Sequence, residues 1–279
     1  MTDKRIKMVA LDLDGTTLND NGVISARTVS AFQEAMERGV HIVICTGRTF
    51  KSLPDQLFDI PGLEYVVTSN GAKITRLADR KTVYENNIGG EAVSQIAEIL
   101  KPLGYSLEVF LEGGAYIAKE EYEEYQTLGS AYRDIGYVLS TRTPVAEFFD
   151  FIEENKAHIE NINISFPKQE DRTKLMEMLE QVENVTLTTS FVHNIEVGGA
   201  TTSKAEALRY LMNELGLTAG ELMAAGDSPN DLAMIQLARI GVVMGNASEE
   251  MKCHADYLAD TNQADGVAKA IERFVMEVK

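Results

Sequence analysis

Residues 8 to 20 read MVALDLDGTTLND. An apolar run, Met8 to Leu11, leads straight into Asp12; Leu13 intervenes, and Asp14 and Gly15 follow. A short continuous apolar run bounded by turn residues fits a strand covered on both faces, as in a parallel sheet. Such a strand delivers two carboxylates to one end of the sheet, which turn chemistry alone does not require.

Further apolar runs follow at Val40–Cys45, Tyr65–Val67, Leu222–Ala225 and Ile240–Met244, with helical spacing between them. Val29, Phe32, Ala35 and Met36 repeat at one such spacing, and Ala205, Leu208, Leu211, Met212 and Leu215 at another. Strand alternating with helix predicts an α/β fold with a doubly wound parallel sheet. Between about Thr82 and Ser190 the pattern changes. YSLEVFLEGGAYIAK reads as a strand hairpin, NINISFP and NVTLTTS as strands with alternating faces, and Glu91–Leu100, Val145–Glu154 and Gln169–Leu179 as helices. The expected organisation is a catalytic core from residues 1–83 and 191–279, with an inserted α+β cap over 84–190. VVTSNGAKI and HNIEVGG flank the insertion.

The chain has 279 residues, 44% of them hydrophobic, enough for one large domain or two modest ones. Its formal net charge of −17 disfavours nucleic acid and anionic membrane surfaces as partners. No run approaches the roughly 20 apolar residues of a membrane span, and the N-terminal apolar run is too short for a signal peptide, so the cytoplasm is the expected location. Cys45 and Cys253 form no disulfide framework, and the four histidines are scattered. Oligomeric state is not readable.

Four features close the sheet runs or open the helices after them: Asp12-Leu13-Asp14-Gly15-Thr16, Thr46-Gly47-Arg48, Lys204, and Gly226-Asp227-Ser228-Pro229-Asn230-Asp231. Ligands of open α/β sheets bind outside the carboxyl ends of the strands, so the fold would gather these features. Asp12, Asp14, Asp227 and Asp231 crowd negative charge that a hard divalent cation, Mg2+, would neutralise. A phosphate-ester substrate fits the set. Asp12 would attack phosphorus, Asp14 would serve as acid and then base, and Thr46 and Lys204 would hold phosphoryl oxygens. Gly47, Arg48, Asn70, Gly71 and Asn230 complete the candidate substrate-binding residues. GGATTSK at 198–204 is not a P-loop, because Ser203 replaces the glycine before the lysine and Ala205 the hydroxyl residue after it. Tyr116, Tyr122, Tyr125 and Arg133 are read first as ordinary surface or core residues and second as cap contacts.

These motifs resemble the haloacid dehalogenase superfamily, and within it the Cof-type, sugar-phosphatase-like hydrolases with a C2-type cap. Asp12 and Asp14 match the family's first motif, Thr46 the second, Lys204 the third, and Asp227 with Asp231 the fourth. SNGA at 69–72, GVVMGNASEEMKCHADY at 241–257 and DGVAKAI at 265–271 resemble Cof-type segments as well. The resemblance implies magnesium held by the Asp12 carboxylate, the backbone carbonyl of Asp14 and Asp227, and an aspartyl-phosphate intermediate. The expected activity is hydrolysis of small phosphorylated metabolites. A phosphosugar mutase and a non-catalytic phosphometabolite-binding protein are the alternatives.

Overall fold

The structure, a computed structural model, describes residues 5–131 and 133–277; the outermost residues of the expected core, 1–4 and 278–279, lie outside them. The chain forms two compact units. The first runs through Thr46, then Pro54–Tyr84, then onward from Ser203; the second takes Gly47–Leu53 and Glu85–Thr202.

The first unit is built on an eight-stranded sheet. Across it the strands run Tyr257–Leu258, Ile240–Val243, Leu222–Gly226, Met8–Leu11, His41–Cys45, Tyr65–Thr68, Lys73–Arg76 and Lys81–Glu85. The first six are parallel, and Lys73–Arg76 turns back antiparallel. Met8–Leu11 sits at the centre, hydrogen-bonded to strands from both ends of the chain, with Met8 opposite both Leu222 and His41. All four of its residues are fully buried, which is why it reads as an unbroken apolar run. On one face Met8, Ala10, Val43, Cys45 and Val67 pack against Leu208, Leu211 and Met212 of the helix Lys204–Glu214. The helix Ala26–Glu37 contacts the strand His41–Cys45 and buries Ala31, Phe32 and Ala35. Ser25 caps that helix, its side chain accepting from Thr28 N–H. Helices placed this way make the doubly wound α/β arrangement expected from the strand-helix alternation.

The second unit holds a six-stranded sheet in the order Val185–Thr188, Asn194–Gly199, Ile159–Ser165, Ser106–Leu111, Gly114–Ala118, Arg142–Val145. Its neighbours are antiparallel except the last pair. The hairpin at 106–118 turns through Glu112 and Gly113, both at positive φ (51° and 70°), the backbone of a tight hairpin whose twist matches its strands. Leu107, Val109, Ile162, Ile164, Ile195 and Val197 face the helices Gly90–Leu100, Phe148–Asn155 and Asp171–Leu179. Ser106, Glu108, Asn161, Asn163, Asn194 and Glu196 alternate with them and are buried polar residues. The strand Asn194–Gly199 therefore belongs to this sheet, paired with Ile159–Ser165 and Val185–Thr188, and the second unit extends to Thr202 rather than to 190.

Glu108 anchors the polar face. Its side chain is fully buried and ion-paired to Arg133 and to Arg142, the latter through contacts of 2.9 and 3.0 Å. Asn163 donates to it at 3.1 Å and accepts in turn from Asn194. Tyr125 and Tyr122 are also used internally, donating to Glu121 and to Leu139 O. Burial alone would raise the Glu108 carboxyl, but the guanidinium groups of Arg142 and Arg133 hold it at about 2 against an ordinary 4.5. A lowered folded pKa contributes stability that is complete above the ordinary value and is lost as pH falls toward the folded one. Glu108→Gln is thus expected to cost about 3 kcal/mol at neutral pH and to flatten the stability profile between about pH 4.5 and 2, measured by urea denaturation across pH.

Candidate active site

The site is assembled where the first unit's parallel strands end. Met8–Leu11 delivers Asp12, whose N–H donates to Ala225 O at 2.9 Å, so the aspartate is the last residue held by the sheet ladder. The chain then makes one wide turn over Leu13–Thr17, in which Gly15 has φ 74°. A Cβ at Gly15 would lie 2.6 Å from Asp227 Oδ2, so only glycine fits between the two acidic loops. Thr17 Oγ1 closes the turn, donating to Asp12 O at 2.6 Å, and Asn246 Nδ2 donates to Gly15 O at 2.8 Å.

Lys204 opens its helix behind a Ser203 cap and is fully buried. Its Nζ donates to Asp12 Oδ1 at 2.6 Å and to Asp231 Oδ1 at 2.7 Å. The other oxygen of Asp231 accepts from the N–H groups of Asp227 and Ser228, both at 3.0 Å, and so braces its own loop. Asp227 is oriented by Thr16 Oγ1 at 3.0 Å and Ser228 Oγ at 3.2 Å.

Carboxylate oxygens of Asp12, Asp227 and Asp231 all lie within 4.8 Å of one another. Three carboxylates face one ammonium, an excess of 3 − 1 = 2 negative charges if all are ionised. The carboxyl pKa values respond accordingly. Burial first, then Asp231, pushes Asp12 well above its ordinary value, and the same two causes raise Asp227 to about 6. Burial alone would lower the Lys204 ammonium, but Asp12 and Asp231 outweigh it and hold it above the ordinary lysine range. An all-oxygen cluster carrying this excess suits a hard dication.

Of the other expected residues, Asp14 is exposed two positions past Asp12, and Thr46 is 1% exposed at the end of its strand, its N–H donating to Val67 O. Asn70 is hydrogen-bonded to Asn230 at 3.0 Å. Gly71 packs on the backbone of Ser203 and Lys204. Gly47 and Arg48 fall in the second unit, where the Arg48 guanidinium lies 4.9 Å from the centre of the Tyr137 ring. Cys45 is a buried thiol, raised by burial, in keeping with a packing role. Thr16, Thr17, Ser228 and Asn246 have positioning contacts that the sequence analysis did not assign. All four stand inside the stretches quoted above, and for Thr16, Thr17 and Ser228 the signal is a hydroxyl residue close to an acidic turn residue.

A site of this composition on a doubly wound sheet defines a class of hydrolase, and comparison with known proteins places the chain in it. The model of the haloacid dehalogenase-like hydrolase family matches residues 9–271. A curated relative from Bacillus subtilis, the 5-amino-6-(5-phospho-D-ribitylamino)uracil phosphatase YcsE, is 32% identical over 280 residues, covering 98% of each chain. Among solved structures, a haloacid dehalogenase-like hydrolase from B. subtilis superposes with a TM-score of 0.83 at 28% identity, covering 96% of this chain and 99% of that one. BT1666 from Bacteroides thetaiotaomicron, analysed among phosphatases of the haloalkanoate superfamily, has a TM-score of 0.82 at 26% identity and covers 98% and 96%. The chain belongs to the haloacid dehalogenase-like hydrolase family, and is of the Cof type. It is a phosphatase. No helix among the described residues is long and apolar enough to cross a membrane.

Proposed function

We propose that the protein is a magnesium-dependent phosphomonoester hydrolase for small phosphorylated metabolites such as sugar or polyol phosphates, working through an aspartyl-phosphate on Asp12. The observation that carries this reading is the buried Lys204 bridging Asp12 and Asp231 beside Asp227. Lys204 fixes the Asp12 carboxylate and works against the burial and neighbouring carboxylates that favour its protonated form. A carboxylate oxygen of Asp12 forms a bond to phosphorus as the ester O–P bond breaks. Asp14 gives a proton to the departing alkoxide, then takes one from the water that cleaves the acyl phosphate, which returns Asp12 and releases inorganic phosphate. Thr46 and Asn230 donate to phosphoryl oxygens. Asp12, Asp227 and the backbone carbonyl of Asp14 would hold Mg2+, which when bound supplies positive charge against the developing phosphoryl charge. Asp231, with one oxygen on Lys204 and the other on two N–H groups, acts mainly as their anchor.

The 32% identity to a phosphatase of a ribitylaminouracil phosphate supports a phosphorylated polyol among the substrates. The test is a panel of that compound, sugar phosphates, nucleotides, flavin mononucleotide and pyridoxal phosphate, with Mg2+ and with EDTA. Release of inorganic phosphate is expected with Mg2+ and lost in EDTA. Isomer formed without free phosphate would indicate a mutase instead, and binding without turnover a non-catalytic role.

A further inference from the structure

The segment Ser69-Asn70-Gly71 has three successive residues at positive φ, 50°, 57° and 101°. It touches three separate parts of the first unit. Asn70 N–H donates to Thr46 O at 3.1 Å. A Cβ on Gly71 would lie 2.1 Å from Ser203 O, so this turn rests directly on the backbone that precedes Lys204. Asn70 Oδ1 accepts from Asn230 Nδ2 at 3.0 Å. Asn70 is 4% exposed, yet its Nδ2 and the Oδ1 of Asn230 are buried with no hydrogen-bond partner among the described residues. Leaving such atoms unpaired is costly, so a buried donor and a buried acceptor without partners on two bonded carboxamides point to a ligand.

We propose that Asn70 is a positioning residue for phosphate recognition, setting which edge of the Asn230 carboxamide faces the phosphoryl group. The inference rests on the reading above that Asn230 touches phosphate. Turning both carboxamides over preserves their mutual hydrogen bond and exchanges the free edges. An anion selects the arrangement in which Asn230 offers it an N–H while Asn230 Oδ1 accepts from Asn70 Nδ2. A donor at position 70 holds that arrangement, and an acceptor there opposes it. Aspartate there is acceptor-only, so it would draw the Asn230 N–H to itself, turn the carbonyl toward the anion and add a negative charge.

Backbone preference runs the other way. Asparagine and aspartate both tolerate φ near 57°, whereas alanine there is strained. Stability and phosphate affinity should therefore rank the variants in opposite orders. The experiment is calorimetric titration of the full chain with inorganic phosphate in Mg2+, beside thermal denaturation, for the native protein, Asn70→Asp and Asn70→Ala. Asn70→Asp is expected to keep its melting temperature and to bind phosphate at least about tenfold more weakly than native. Asn70→Ala is expected to melt lower and to lose only about threefold in affinity, since Asn230 stays free to present its donor. A matching rise in KM of Asn70→Asp, larger than the change in kcat, follows. Asn70→Asp binding phosphate as tightly as Asn70→Ala, or affinity that tracks melting temperature, overturns the inference alone. A native chain that binds no phosphate in Mg2+ overturns it together with the reading of the phosphate seat.

Discussion

Asp12→Asn is expected to reduce hydrolysis of p-nitrophenyl phosphate by on the order of 10^4-fold or more, because on the proposed mechanism it removes the covalent nucleophile and leaves only what binding and electrostatics contribute. The amide keeps the size of the side chain and a carbonyl oxygen for Lys204, so the fold survives while the attacking anion is gone. Two measurements check this: turnover at saturating Mg2+, and loss of a trapped phosphoryl analogue such as fluoroberyllate from residue 12. Turnover within tenfold of native would remove Asp12 from its role.

Lys204→Met is the second large effect, and it acts on stability as well as on rate. The ammonium is fully buried and is the cation that Asp12 Oδ1 and Asp231 Oδ1 both contact. Without it two buried carboxyl groups lose their counter-charge, a change that costs about 3–5 kcal/mol in comparable sites. For a unit of this size that is a fall in melting temperature of about 10 °C, read in EDTA. Added Mg2+ should restore part of the loss, because a bound dication offsets the same negative charge. An unchanged melting temperature in EDTA would show that the pair contributes nothing to folding. Hydrolysis should fall together with stability.

How much of this was legible beforehand differs by region. Asp12 and Asp227 are legible because each follows directly where an apolar strand ends, with Asp231 one turn further along the same loop, and a parallel sheet places such ends on one side. Lys204 was readable from its order among the motifs, and its fully buried position with two carboxylate partners needed the fold. The strand Asn194–Gly199, expected within the core as a flank of the insertion, lies in the second sheet. Its alternation, Asn194 and Glu196 polar against Ile195 and Val197 apolar, is the pattern of an antiparallel strand with two unlike faces, and so matches the second sheet rather than the first. The helix expected over Val145–Glu154 begins only at Phe148, and Val145 instead closes the strand Arg142–Val145, whose Pro144 is tolerated because the strand lies at the sheet edge. The Glu108 cluster joins residues from three elements far apart in sequence, and no local spacing announces it.

The position of Met8–Leu11 at the middle of its sheet bears on how the chain emerges during synthesis. One neighbour, His41–Cys45, is made soon after it, but the other, Leu222–Gly226, comes late. At usual elongation speeds the gap between residues 46 and 222 is roughly ten to thirty-five seconds. Through that interval the N-terminal strand has one open, apolar flank on the ribosome, and the stretch from Glu85 to Thr202, which belongs to the other unit, is completed only near its end. Nascent chains halted before residue 222 are thus the form of this protein most exposed to chaperone capture and to aggregation.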